Sequence, residues 1–300
     1  MVMIGEGKAT HQGETLDGAE ALKRAGLKPV VLSSKEGLIL LSGTTSVTAF
    51  ASLAIYDAQT LSLTADIAGS FTLEVLKGTL MAMDERLMAV RPHPDQINTA
   101  ANIRAILKDS PMLERYRGHR VQDALSIRCM PQLHGPVKKA VKDAQATLAI
   151  ELNSSVDNPL IFDEEDGGAV ALMGCNADGT YAGMASDNLC IAITDLCKMS
   201  NSRIDRLLNS LVSELPAFLN KNADFNNGLM MIQYASAGLQ GELRILAHPA
   251  VVDNLTTCAN QEDYVNMGYN AAKKAYDSMH LAKYILAAEL ICDGQALDCY

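Results

Sequence analysis

No uninterrupted apolar run in this chain approaches the roughly 18 residues needed to cross a bilayer, so no membrane span is expected. The opening MVMIGEGKAT lacks the basic start and apolar block of a secretion signal. The seven cysteines are odd in number, scattered and never in CxxC spacing. That argues against a disulfide framework or a zinc site and points to reduced thiols in a cytoplasm. Positive charge is in deficit, with a net charge of −10. Nucleic acid and anionic membrane surfaces are therefore disfavoured as partners. A small anionic ligand stays open, because one local arginine can outweigh a distant net charge. There is no internal repeat and no low-complexity linker, and strand patterns are few.

What is present suits a large, folded, soluble protein. Three hundred residues can bury a sizeable core, and 48% hydrophobic with 20% charged residues is ordinary for such a chain. Residues 1–43 read as an irregular, Gly-rich opening segment with a short helix at Ala19–Ala25, stopped at Gly26. Residues 44–300 read as a single helical domain. From Thr44 to Met83 apolar residues recur at helical spacing without proline, which predicts a helix of some 50–60 Å. Pro92 and Pro94 end that run, and His93 between them reads as a hydrogen-bonding residue in a rigid turn. Further helices are expected at Asn98–Leu107, Pro136–Leu152, Ser186–Leu208, Gly228–Leu246 and Ala272–Cys292. A charged connection (Asp109–Arg120), a long polar loop (Asn153–Gly183), turns at Leu215–Asn220 and Asp224–Gly228, and a polar loop (Asn254–Gly268) join them. Lys138, Lys139 and Lys142 read as a solvated face. The fold class is all-α. Helices this apolar and long are buried on several sides, often by other subunits.

Polar chemistry is densest at Val121–Gly135, VQDALSIRCMPQLHG. So many polar groups at the mouth of a core helix are costly unless a site uses them or a network satisfies them. Taken alone, the stretch fits a binding site and a capping turn equally well.

The same stretch resembles the aromatic amino acid lyases, and within them the histidine ammonia-lyase type. The likeness extends through MIGEG (Met3–Gly7), KEGL (Lys35–Leu38), RPHPDQ (Arg91–Gln96), ELNSSVDNPL (Glu151–Leu160), LAHPAVVD (Leu246–Asp253) and ANQEDYVNMG (Ala259–Gly268). The resemblance covers the C-terminal two-thirds of such enzymes and implies their bundle of long helices, shared with the fumarase and aspartase superfamily. It also implies a tetramer-like homo-oligomer whose active sites each draw on three subunits. The implied reaction is non-oxidative loss of ammonia from an α-amino acid. In these enzymes an Ala-Ser-Gly tripeptide cyclises to an electrophilic methylidene-imidazolone. No Ala-Ser-Gly occurs in these 300 residues, so the cofactor is expected only from a partner chain. The Gly-Ser-Ser-x-Met-Pro loop of the fumarase and aspartase class is absent too.

On this resemblance Arg128 would hold the substrate carboxylate in a bidentate fork. Glu262 would handle the amine or the imidazole as a buried carboxylate with a raised pKa; glutamate there marks the histidine type. Gln122, Gln132, Asn158 and Gln261 fall in matching motifs as candidate substrate-binding or network amides, and His134 as support behind them. Three positions that the resemblance places beside the cofactor depart from the pattern, and a fourth departs elsewhere. Leu125 replaces a tyrosine, Ser42 an asparagine and Ala177 an aromatic, while Tyr264 stands where histidine-type enzymes have histidine. No metal ligands are expected. Two functions follow as expectations: one half of a split ammonia-lyase, or a catalytically silent homologue kept for assembly or ligand binding. A fragment of a longer protein is a third possibility.

Overall fold

The computed structural model describes residues 1–222 and 225–300. The turn expected at Asp224–Gly228 thus begins outside the described residues. Contacts divide the chain into two units, Met1–Gly43 with Ser155–Ala177, and Thr44–Ser154 with Asp178–Tyr300. The sequence reading kept 155–177 within the helical domain; in the fold this segment is grouped with the N-terminal one.

The first unit carries two hairpins. Strands β1 (Lys8–His11) and β2 (Glu14–Asp17) pair antiparallel. Gln12 and Gly13 turn between them with φ of 51° and 84°, both left-handed, as a two-residue turn that matches strand twist requires. Helix α1 (Gly18–Arg24) follows and ends before Gly26. A one-turn helix α2 (Glu36–Ile39) forms the KEGL segment. Strands β3 (Leu160–Asp163) and β4 (Ala169–Leu172) make the second hairpin. The sequence reading took both regions for irregular chain. Lys35 lies 3.0 Å from buried Asp157 and also donates to the Pro159 carbonyl, joining two of the motifs that carry the resemblance.

The second unit is helical: α3 (Thr45–Val75), α4 (Glu85–Ala89), α5 (Pro94–Ile106), α6 (Pro111–Arg115), α7 (Leu125–Arg128), α8 (Met130–Glu151), α9 (Thr180–Leu208), α10 (Ser210–Ser213), α11 (Met230–Leu246) and α12 (Gly268–Leu297). Helix α12 packs along α9 and α3, and α8 along α5, α9 and α3. Small residues make this possible. Ala54, Ala58, Ala65 and Ala68 of α3 and Ala271, Ala272, Ala275 and Ala282 of α12 are completely buried, so helix axes can approach closely before larger side chains interlock.

Helix α3 stops earlier than its apolar period predicts. Lys77 takes φ of 55°, its N–H bonds the Glu74 carbonyl, and the Gly78 N–H bonds the Leu73 carbonyl at 2.9 Å. This is the paired cap of a Schellman end. A Cβ on Gly78 would lie 2.8 Å from the Leu73 oxygen, so only glycine fits. Thirty-one residues make α3 about 46 Å long. The chain then resumes through a 3-10 turn at Leu80–Met83. His93, expected to hydrogen-bond in a turn, is exposed and precedes α5 without a side-chain cap. No helix among the described residues is long and apolar enough to cross a membrane.

Candidate functional site

Two helices meet end to end in the Val121–Gly135 stretch. The single turn α7 closes at Arg128, the chain breaks direction at Cys129, and α8 starts at Met130 with Pro131 in its first turn. Proline is tolerated there because its missing N–H would have had no helical acceptor. Pro136 is one turn further on and supplies no N–H to the Gln132 carbonyl. Gly135 is sterically required. A Cβ there would stand 2.8 Å from the Gln96 nitrogen, where α5 crosses α8.

Two buried ionic networks underlie the stretch. In the first, Asp66 of α3 accepts from His134 Nδ1 at 2.9 Å, from Lys138 Nζ, and from Asn102 Nδ2 at 2.8 Å. Lys138 also reaches Thr99 Oγ1 at 2.9 Å and Asn98 Oδ1 at 3.3 Å. Burial would push the Asp66 carboxyl up, but His134 and Lys138 together hold it below its usual range. Burial pushes the His134 imidazole down, against the pull of Asp66. The ring is therefore neutral near pH 7, with its proton on Nδ1 facing the carboxylate. The solvated face expected for Lys138 is corrected here. That side chain is only 7% exposed, while Lys139 and Lys142 are exposed and pair with Asp143 and Asp95.

In the second network Arg203 of α9 and Glu289 of α12 are both completely buried. Glu289 takes Arg203 Nε on one oxygen and Nη2 at 3.0 Å on the other, with Thr72 Oγ1 at 3.0 Å and Ser200 Oγ at 2.5 Å. Thr72 Oγ1 also lies 2.8 Å from Asp293 Oδ1, so its single proton serves one of the two carboxyl groups at a time. Burial, reinforced by the neighbouring Glu289 charge, raises the Asp293 carboxyl well above its ordinary value. The remaining Arg203 nitrogen, Nη1, donates to the Ser126 carbonyl at 3.2 Å, inside α7. Sequence reasoning passed over Arg203 and Glu289. The signal was a charge of each sign on the apolar face of a long helix, at Met199–Arg203–Ile204 and Leu286–Glu289–Cys292.

Above these networks Arg128 is half-buried. Its Nε is enclosed and has no hydrogen-bond partner among the described residues, and the same holds for Gln132 Oε1 four residues on. The ion pair that would have made Arg128 purely structural is not found among those residues. Gln132 also lines a groove of about 680 Å³ between α8, α9 and α11, with Gln240 and Arg244. Arg128 does not line it. Gln122 and Leu125 are exposed, Leu125 at 62%.

The other predicted residues are placed differently. Gln261, Glu262 and Tyr264 are all exposed in the 254–266 loop. Glu262 is not the buried carboxylate expected from the sequence; its contacts are with Thr257, through a backbone bridge and the threonine hydroxyl. The ends of this loop are nevertheless held. Asn254 accepts from Val265 N–H at 2.8 Å, Asn266 donates to Asp178 at 2.8 Å, and buried Asp187 takes the Ala250 and Val251 N–H groups at 2.8 and 2.9 Å while pairing with Lys274. Ser42, Asn158 and Ala177 belong to the first unit. Ser42 spends its hydroxyl on the Leu38 carbonyl, and Asn158 is exposed.

A guanidinium with no carboxylate partner among the described residues suits a small carboxylate-bearing ligand, while the Gln132 oxygen, an acceptor, suits an N–H donor. Two of the positions that the resemblance places by a methylidene-imidazolone are poorly suited to hold one. Leu125 and Ala177 offer hydrocarbon where a hydroxyl and an aromatic would stand, and neither can make a hydrogen bond.

Long helices packed around buried ion pairs define an all-α helical scaffold. The profile of the family described as aromatic amino acid lyase matches residues 1–300, and the chain belongs to that family. It is 45% identical over its full length to the histidine ammonia-lyase of Alkaliphilus metalliredigens, of which it covers 59%. Among solved structures it is similar to a histidine ammonia-lyase from Trypanosoma cruzi, with TM-score 0.89, 35% identity, and 99% of this chain and 56% of that one covered. A phenylalanine aminomutase from Pantoea agglomerans is as similar, with TM-score 0.90, 34% identity and coverage of 99% and 61%. The chain thus spans about three-fifths of the length of such relatives.

Proposed function

We propose that this chain supplies the substrate-orienting part of a histidine-type ammonia-lyase assembly, with the electrophile brought by a second polypeptide carrying an Ala-Ser-Gly loop. One observation carries the reading: Arg128, whose Nε has no partner among the described residues, follows by two residues the Ser126 carbonyl that buried Arg203 holds. A guanidinium so held takes a carboxylate bidentately and sets the amino acid's orientation. Gln132, Gln122 and Gln261 are candidate amide contacts, and Glu262 the candidate partner for the amine or imidazole. Ser42 and Asn158 are candidates on the first unit. The assembly would be a homo-oligomer acting in the cytoplasm on a free amino acid. Its reaction would release ammonia and leave an α,β-unsaturated acid. The aminomutase likeness means that the scaffold alone does not select loss of ammonia over other outcomes.

The test is to combine the purified chain with a loop-bearing polypeptide from the same cell, then to follow near-ultraviolet cofactor absorbance and ammonia release from histidine. Both signals should appear with the pair and neither with this chain alone. Tight association with neither signal would sink the split-enzyme reading. Leu125, exposed where the family has tyrosine, favours a second reading, a silent homologue that binds an amino acid or supports an active partner. Turnover by the unaltered chain with its partner would end that one.

A further inference from the structure

We infer that Arg203 is a positioning residue for Arg128: it fixes the turn bearing Arg128 through the Ser126 carbonyl. This deepens the proposed role of Arg128 and rests on it. Burying a guanidinium and a carboxylate is expensive, and an apolar pair of similar volume is often as stable. The geometry gives this pair a further use. Glu289 holds Nε and Nη2 of Arg203, which locks the plane of the fork and leaves Nη1 aimed at one acceptor, Ser126 O, at 3.2 Å. Ser126 is two residues before Arg128 in α7, a single turn of four residues too short to hold its own shape.

Three helices collaborate to keep that aim. Glu289 comes from α12 and Ser200, with Arg203, from α9. Gly69 of α3 leaves the space. A Cβ there would fall 2.2 Å from Met130 Sδ, so that thioether would have to shift, and would rest in ordinary contact with Arg203 Cζ at 3.5 Å. On the other flank Asp66 anchors His134 and Lys138. Arg128 is thus carried on a short turn clamped before it by Arg203 and after it by the Asp66 network.

The experiment compares binding of L-histidine with that of histamine, which lacks the carboxylate, to the full chain as purified. The unaltered chain should prefer histidine, and Arg128→Met should abolish the preference. Arg203→Lys keeps the charge but loses the fork, and one misdirected hydrogen bond is worth about tenfold in affinity. It should therefore cut the preference about tenfold while histamine binding is unchanged. A merely structural role for Arg203 predicts that both ligands weaken together or neither does. A folded Arg203→Lys chain with the original preference overturns the inference. If that variant does not fold, the unaltered protein decides: saturating histidine should shift the Arg203 side-chain nitrogen resonances, and an unmoved spectrum overturns it. A chain that never distinguishes the two ligands fails at Arg128 itself, an outcome separate from an Arg203 failure.

Discussion

The start of α8 and the loop at 254–266 carry the two residues that the family resemblance ranks highest, and they are built in opposite ways. Arg128 lies in sequence between two points held by buried networks, in which Asp66, Lys138, Arg203 and Glu289 are each less than a tenth exposed. Glu262 is exposed, and among the described residues its side chain bonds the Thr257 hydroxyl alone. Where charge is buried and fully engaged, a side chain stays where packing puts it, because any movement leaves an ion unpaired in low dielectric. A residue on an exposed loop has no such restraint. The anchoring half of the candidate site is therefore preorganised within this chain, and the Glu262 half is tied only at the loop's ends.

That contrast is open to breaking. The largest effect is expected from Glu289→Ala, which strands Arg203 in the core and should destabilise the protein by about 3–5 kcal/mol in chemical denaturation. Lys138→Met removes the cation bound to Asp66 but leaves neutral His134 and Asn102 in place; a loss of about 2–3 kcal/mol is expected. A change below about 0.5 kcal/mol for either would mean that the platform is not load-sharing. Asp293→Asn should run the other way. Its folded-state pKa lies above the unfolded value, so the folded protein binds the proton more tightly, and stability falls as pH rises from about 4 towards that raised value. The amide abolishes this loss. The variant should match or exceed the parent at pH 7 and fall behind it only in acid, as melting curves across pH would show.

The first network adds an acid limit of its own. Asp66, held low, contributes stability that is complete above about pH 4 and fades as pH falls through its depressed folded value; His134, also held low, costs stability once pH drops below about 6.5, where the unfolded ring gains a proton and the buried one does not. Lys138→Met should change the shape of this acid limb as well as its height. The smallest effect belongs to the loop. Glu262→Gln should leave stability within about 0.5 kcal/mol, and any change it makes should appear in ligand binding alone. A Glu262→Gln chain that melts several degrees lower would erase the contrast between the regions.

Much of the helical frame was legible. Pro94 opens α5, Gly26 follows α1, and the apolar periods of α8, α9, α11 and α12 mark the helices that are found, though α8 begins at Met130 rather than Pro136, and α9 at Thr180 and α12 at Gly268 are also several residues early. The first turns of α9 and α12 are rich in Gly, Asn and Tyr, which weaken the periodic signal. They form because Gly183 and Gly268 meet backbone to backbone, where a Cβ on Gly183 would lie 2.8 Å from the Gly268 Cα. The hairpin at Lys8–Asp17 escaped because its turn is Gln-Gly, without the asparagine or aspartate that usually marks such a turn. The early end of α3 hung on a lysine in a left-handed conformation, which no local preference announces.

The order of residues alone was enough for the class of fold and the motif that carries Arg128, because a helix's apolar period and a proline's missing N–H act over a few residues. The fate of each charge was settled only in three dimensions. Lys138 reads as surface and is core, Glu262 reads as buried and is exposed, and Arg203 finds its carbonyl 77 residues away in sequence. A charge's partner is set by which helices cross, and that crossing is decided by alanines and glycines far from the charge itself.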